Sequence, residues 1–375
     1  MSGDLRLNLN VDSFLAQHWQ QKPLLIPCGV PDFTPPCSAD ELAGLALELE
    51  VESRIIAGTD SDWSLQHGPF TDQDFQRDVP WTLLVQAVDH LLPEVAELRK
   101  LFDFIPQWRM DDVMVSYAST GGSVGPHFDY YDVFLLQGEG ERLWRLGQHC
   151  DGSSPLLDND ELRILKDFEI KEEHLLRSGD ILYVPPGVAH WGIAQGDCTT
   201  FSIGFRAPRL NGMVSRWVDN IIGRVDPDRF YQDAGQTSSK LAGEIRSSDI
   251  ERAKQQLQRA LQEHEGDQWF GELVTEPRYE TAQDDVHLAE ASALLSLSVK
   301  RIELSPAAKV AWQKSEAGIT VFANGDSMKT IAAALQPLTA LCGGMALQSS
   351  TLSRALDDAS INALLQWLLH CDCLD

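Results

Sequence analysis

A chain of 375 residues is longer than one ordinary core and, on length alone, divides into two or three domains. Its composition, 43% hydrophobic and 23% charged, is that of a folded globular protein and excludes a disordered one. Thirty basic against 56 acidic residues give a net charge of -26. Such a surface repels phosphate backbones and excludes direct DNA binding by general electrostatics; it suits either plain solubility or a strongly basic polypeptide partner.

The first residues, from Met1 to Arg6, lack the basic-then-apolar pattern of a signal peptide. No segment approaches the ~18 uninterrupted apolar residues of a membrane helix, so the expected location is the cytoplasm. The seven cysteines are scattered and none has CxxC spacing, which points to reduced thiols. Cys371 and Cys373 beside His370 read as inert thiols at a chain end and not as a metal site. Residues 1 to about 100 mix short helices with Pro- and Asp-rich turns. Ser38, with Glu41 three residues later, has the spacing of a capping box. Leu83, Leu84, Ala87, Val88 and Leu91 predict a helix from about Trp81 through Leu92.

From about 109 to 207 the period becomes that of strands. Val113 to Tyr117, Val133 to Leu136, Leu143 to Leu146, Ile181 to Val184 and Thr199 to Phe205 are short β-type runs. Turns such as Gly121-Gly122, Ser178 to Asp180 and Pro185 to Gly187 separate them. This pattern predicts an antiparallel sandwich or barrel. After Pro208 two amphipathic helices follow, one striped by Leu210, Met213, Val214, Trp217 and Ile221, the other by Ile250, Leu257 and Leu261. Their exposed-looking apolar faces suit a dimer interface or packing within the chain. From about 272 onward, a strand at Ile319 to Phe322, a hairpin turn at Asn324-Gly325 and a closing helix around Leu364 to Leu368 predict a small α+β module.

The chemistry concentrates in Gly125 to Asp129. In an extended segment His127 and Asp129 share one face and can chelate one ion. His190, which closes a Pro-Pro-Gly turn 61 residues beyond Asp129, supplies a third ligand, and that separation is compatible with a strand lying opposite. Two imidazoles and one carboxylate form a facial triad with open positions on an octahedral ion, the arrangement of non-haem Fe(II) oxygenases. Zinc favours a closed tetrahedral set, and calcium or magnesium favours oxygen ligands. The other histidines lack ligand spacing.

Gly125-Pro126-His127 with Asp129, then Asp132-Val133-Phe134 and Gln137-Gly138, then Arg142 to Trp144, then the Gly179 to His190 turn together resemble the JmjC oxygenases of the ribosomal oxygenase branch. Trp19, Lys22 and Pro23 match that branch's entry motif. The resemblance runs through nearly the whole chain and is weakest in the last hundred residues. Within the branch it points to the bacterial ribosomal protein arginine hydroxylases, which act on the sixteenth protein of the large subunit. It implies a mainly β fold with α: a double-stranded β-helix (JmjC/cupin) core with N-terminal helices over 1–207, a helical dimerisation region over 208–271 and a C-terminal winged-helix-like domain over 272–375. It further implies Fe(II) held by His127, Asp129 and His190, and 2-oxoglutarate as co-substrate with its distal carboxylate on Arg142 and Ser116. Arg145, three positions after Arg142, falls on the opposite face of its strand. Tyr117, Tyr130, Tyr131 and Asp132 surround the ligand segment as substrate-side residues. The implied substrate is an arginine of a basic large-subunit ribosomal protein and the implied state a homodimer, with neither DNA nor membrane as partner. A histidine hydroxylase or demethylase would keep the same triad. A non-oxidative cupin would not need Arg142, and a non-catalytic relative would have lost a ligand.

Overall fold

The computed structural model describes residues 5–59, 62–159, 161–238, 241, 243–263, 266, 268–278, 301–316 and 318–375. The chain separates into two compact units, one formed by Met1–Ala207 with Leu304–Ala307 and Gly343–Met345, the other by the remainder from Pro208 onward.

Among the described residues the first unit holds eleven strands: β1 (Leu24–Ile26), β2 (Ser53–Thr59), β3 (Asp62–His67), β4 (Trp81–Val85), β5 (Met110–Ala118), β6 (Asp132–Gln137), β7 (Arg142–His149), β8 (Glu172–Leu176), β9 (Ile181–Val184), β10 (Val188–Ala194) and β11 (Cys198–Phe205). Eight form one antiparallel sheet in the order β1-β9-β6-β11-β5-β4-β2-β3; β10-β7-β8 form a second. The short helices are α1 (Val11–Gln17), α2 (Ala39–Leu45), α3 (Val88–Leu91) and α4 (Pro93–Ala96). This is the double-stranded β-helix that the resemblance implies, and it agrees with the antiparallel sandwich or barrel that the strand spacing predicts.

Every residue of β6 is buried because both faces of the large sheet are covered. Phe134 and Leu136 point to the helical side, where Phe14, Phe102, Tyr183 and Phe205 form an aromatic core, with ring centroids 4.5 Å apart for Phe102–Phe134 and 4.8 Å for Phe14–Tyr183. Val133 and Leu135 point the other way, against Trp144 and Leu182. Asp132 shares the helical-side parity. It accepts from the Tyr183 hydroxyl at 2.6 Å, from Gln20 Nε2 at 3.0 Å and from Arg109 Nη2 at 3.0 Å, which pins the N-terminal segment to the sheet.

The helix expected from Trp81 to Leu92 is not there. β4 takes its first half, flanked by β2 and β5, and only Val88–Leu91 is helical after Ala87 turns the chain with a φ of 50°. A central strand buried on both faces is a continuous apolar run, and such a run also satisfies a helical stripe. The capping box at Ser38 is present: Glu41 N donates to Ser38 Oγ at 3.3 Å and Ser38 N donates to Glu41 Oε2 at 2.9 Å.

The second unit begins with α5 (Leu210–Ile222), α6 (Ser247–Glu263) and α7 (Gln268–Thr275), the last running across position 271. β12 (Arg301–Ile302) pairs with β16 (Leu347–Gln348), and β13 (Val310–Ser315), β14 (Gly318–Ala323) and β15 (Asp326–Thr330) form a meander. The β14–β15 turn is made by Asn324 and Gly325, with φ of 45° and 94°, as the hairpin signal predicts. α7 lies so close to β14 that a Cβ on Gly271 would come within 2.4 Å of the Phe322 ring, so only glycine fits there. Helices at Leu335–Cys342, Ser349–Asp357 and Ala359–His370 complete the unit around Val321, Leu338, Leu364 and Leu368. All seven cysteines are free thiols, and burial pushes Cys342 and Cys371 up to about 12, as expected of inert groups. Among the described residues no helix is long and apolar enough to cross a membrane.

Candidate metal centre and its cavity

His127, Asp129 and His190 are the one group of three or more potential metal ligands among the described residues whose ligand atoms all lie within 4.8 Å of one another. Asp129 Oδ2 is 3.9 Å from His127 Nε2 and 3.6 Å from His190 Nε2. The two histidines are direct backbone neighbours and not, as their separation had allowed, on opposite strands. His127 N donates to His190 O at 3.0 Å and His190 N returns a bond to His127 O at 2.8 Å. That bridge fixes the two rings with centroids 4.2 Å apart. Gly187 N donates to Asp129 O at 2.7 Å, so the Pro-Pro-Gly turn also holds the carboxylate's backbone.

Each imidazole has its Nδ1 3.0 Å from a backbone carbonyl, Gly125 O for His127 and Val188 O for His190. A carbonyl only accepts, so Nδ1 carries the proton and Nε2 presents its lone pair to the shared centre. Burial, and next the neighbouring His127, push the His190 pKa down to about 4, which keeps it neutral. Phe128, between the two ligands in sequence, belongs to a small apolar cluster with Leu165 and Ala189. The donor set fits Fe(II) in a facial triad, and the described residues offer zinc no fourth protein ligand.

The triad lies on the wall of a cavity of about 320 Å³ between the two sheets of the first unit. Arg142 enters from β7 and is 3% exposed. Its Nη1 donates to Ser116 Oγ and to Thr200 Oγ1, each at 3.3 Å, and its guanidinium stacks 5.1 Å from the Trp144 ring centroid. Ser116 and Thr200 face each other in register on β5 and β11. No carboxylate among the described residues pairs with Arg142, and its Nε has no partner. Burial lowers its pKa, so the arrangement is costly until an anion arrives. Arg145 does point away, pairing with Glu173 at 2.8 Å.

Of the tyrosines singled out from sequence, Tyr131 lines the cavity, Tyr117 packs 5.3 Å from Trp81, and Tyr130 is 53% exposed beside Phe128. Asp132 lies on the far side of its strand and belongs to the Tyr183 network, so it is not a substrate-side residue. Sequence reasoning missed Thr200 at the Arg142 end, which no local pattern announces, and quoted Trp144 only as part of the Arg142 to Trp144 motif, without a role.

Comparison with known proteins places these features in company. A JmjC domain model matches residues 97–213 and a ROXA-like winged helix model matches residues 255–375. The chain is 33% identical to the ribosomal protein uL16 3-hydroxylase of Escherichia coli over 98% of each protein. It is 41% identical to a probable ribosomal oxygenase of Haemophilus influenzae over 55% of this chain and 52% of that one. The structure of the Escherichia coli ribosomal oxygenase YcfD with cobalt and 2-oxoglutarate superposes with a TM-score of 0.82 at 32% identity over 99% of each chain.

Proposed function

The chain belongs to the JmjC ribosomal oxygenases, enzymes dependent on Fe(II) and 2-oxoglutarate, and on that premise we propose that it hydroxylates an arginine side chain of a large-subunit ribosomal protein. In this reading His127, Asp129 and His190 hold the metal, and Arg142 with Ser116 holds the distal carboxylate of 2-oxoglutarate. Bound Fe(II) supplies the redox chemistry that couples conversion of 2-oxoglutarate and dioxygen to succinate and carbon dioxide with insertion of one oxygen atom into a C–H bond. The protein's own tasks are to bind, orient and exclude water. His127, Asp129 and His190 would hold the ion from one side and would leave its other side open to the cavity for the co-substrate. The Arg142 fork, aligned by Ser116 and Thr200, fixes the co-substrate's far end, and Val133, Leu135 and Ile164 supply apolar wall beside it.

One observation carries the oxygenase part of this reading: a fully buried guanidinium with no acidic partner, in the same cavity as a facial triad. A non-oxidative cupin has no use for it. The substrate rests on the relative that acts on uL16 and on charge. Thirty-three of the 56 acidic residues but only 14 of the 30 basic ones fall in residues 1–207, so the excess negative charge concentrates on the unit that contains the triad. A basic polypeptide is drawn to such a surface. Glu161 and Tyr131 on the cavity wall offer a carboxylate and an aromatic face to a guanidinium. The same reading places the enzyme in the cytoplasm, as a homodimer through the apolar faces of α5 and α6, with no role in DNA binding.

The test is turnover of 2-oxoglutarate to succinate by Fe(II)-loaded protein under air, with a peptide of the large-subunit protein centred on the candidate arginine. A mass gain of about 16 Da on that arginine, absent with Asp129→Ala, is the expected result. Succinate with the modification on another side chain removes the arginine assignment and keeps the enzyme class.

A further inference from the structure

Six buried side-chain polar atoms among the described residues have no hydrogen-bond partner. Four of the six belong to residues lining the one cavity that contains the triad: Arg142 Nε, Trp144 Nε1, Arg54 Nε and Thr82 Oγ1. Buried polar atoms left unpaired are rare in folded proteins because each loses its hydration without replacement, so their concentration in one cavity marks where ligand atoms are expected.

The four divide into two pairs. Arg142 and Trp144 are neighbours on β7 and stand at the position of the co-substrate carboxylate. Arg54 and Thr82 come from β2 and β4 of the large sheet. Arg54 pairs in register with Leu84, and Leu84 with Ser116, so the Arg54 backbone lies two strands, roughly 10 Å, from that of the serine that Arg142 binds. A single distal carboxylate held between Arg142, Ser116 and Thr200 does not extend across that span.

The Arg54 guanidinium is held in place without being satisfied. With its amide oriented to suit both neighbours, Gln86 accepts from Arg54 Nη2 at 3.2 Å and donates to Asp112 Oδ2 at 3.0 Å. Arg54 Nε has no acceptor. Thr82 is 0% exposed, and its hydroxyl, which can donate as well as accept, is equally unused.

We infer that Arg54 and Thr82 form an acceptor-binding subsite of this cavity, which receives a carbonyl or carboxylate oxygen of the polypeptide substrate next to the target side chain. The inference rests on the preceding reading for the nature of the substrate, but the subsite chemistry does not: an N–H of a fixed cation and a buried hydroxyl take an oxygen acceptor whatever carries it. The position also explains a cation in a cavity that admits a basic side chain. Arg54 engages the peptide frame and keeps the target's own charge away from the β2 end.

Two measurements on the full chain test it. First, peptide and 2-oxoglutarate kinetics of Arg54→Met, Arg54→Lys and Thr82→Val are compared with the parent, together with Mn(II) affinity as a check of the intact site. The expected result is a peptide KM raised about 10- to 100-fold in Arg54→Met, less in Arg54→Lys and Thr82→Val, with the 2-oxoglutarate KM and Mn(II) binding unchanged. An unchanged peptide KM in all three variants overturns the subsite, and so does an effect confined to the 2-oxoglutarate KM. Second, crystals of the Mn(II) and 2-oxoglutarate complex are soaked in formate, which is expected on Arg54 Nε and Thr82 Oγ1 in the parent and absent in Arg54→Met. If the peptide is not modified by the parent enzyme, the function reading fails and the formate experiment alone decides: formate at Arg54 upholds the subsite, and its absence there ends it.

Discussion

The cavity of the first unit and the two long helices of the second are incomplete in opposite ways. Around Arg142 the missing thing is charge: a guanidinium 3% exposed, with hydroxyls on one edge and no carboxylate. On α5 and α6 the missing thing is apolar cover: α6 has no buried residue and α5 only Ile221, while Leu210 is 78%, Val214 57% and Leu257 65% exposed. Both helices carry a sequence stripe like those that build cores, yet the described chain does not bury it. Each deficit names its filler. A buried cation without a partner calls for a small anion, and an exposed apolar stripe calls for another protein surface.

The sharpest way to break the comparison is to remove the charge. Arg142→Met is expected to raise the 2-oxoglutarate KM by about a hundredfold, the loss of a charge-assisted pair, while leaving the folded state as stable or more so. Steady-state succinate release and a thermal melt of the apo protein check the two halves. A melt lowered by many degrees would show that Arg142 holds the sheets together and does not wait for a ligand.

Removing the apolar cover tests the other half. Val214→Glu combined with Leu257→Glu places charges on both stripes and is expected to halve the solution mass measured by light scattering, with the metal affinity of the triad unchanged. A mass already equal to one chain in the parent removes the dimer from the proposal. Retention of the parent mass by the double variant moves the interface to another face.

Asp89 is the intermediate case, a buried charge that does have partners. It is 0% exposed, accepts from Val113 N at 2.8 Å and faces Arg99 at 3.5 Å, yet burial outweighs these and its pKa rises to about 6. The folded state therefore holds the proton more tightly than the unfolded one. The stability this contributes is complete below the ordinary carboxylate pKa and is lost as pH rises through about 6. Urea unfolding at pH 5 and pH 7.5 is expected to show the parent losing on the order of 1 kcal/mol relative to Asp89→Asn between those values. A pH-independent difference would mean that Arg99 keeps Asp89 ionised throughout.

How much of this could be read from sequence depended on how local each feature is. His127 and Asp129 are two residues apart and His190 ends a Pro-Pro-Gly turn, so short-range rules find all three; the backbone bridge between the histidines was not legible, because it joins residues 63 apart in the chain. Arg142 came through family resemblance and Ser116 with it. Thr200, Thr82 and Arg54 are set in the cavity only by sheet register, which no single strand's pattern encodes. Asp132 was misplaced for the same reason: adjacency to Tyr131 in sequence means the opposite face in a strand. The Trp81 to Leu92 run failed differently, since a strand buried on both faces has no alternation to betray it.

The smallest effect belongs to a feature that is local throughout. Ser38 and Glu41 exchange bonds at the start of α2, and that helix puts Leu42, 0% exposed, into the aromatic core. Ser38→Ala removes the acceptor for Glu41 N but leaves Leu42 in place, so the loss is confined to the cap, about 1 kcal/mol. In a unit of this size that lowers Tm by about 2–4 °C. Because α2 packs on the side of the large sheet away from the cavity, kcat and both KM values should not change. If they did, the core would be transmitting strain to the triad, and the helical side of the sheet would not merely support a cavity side that reacts.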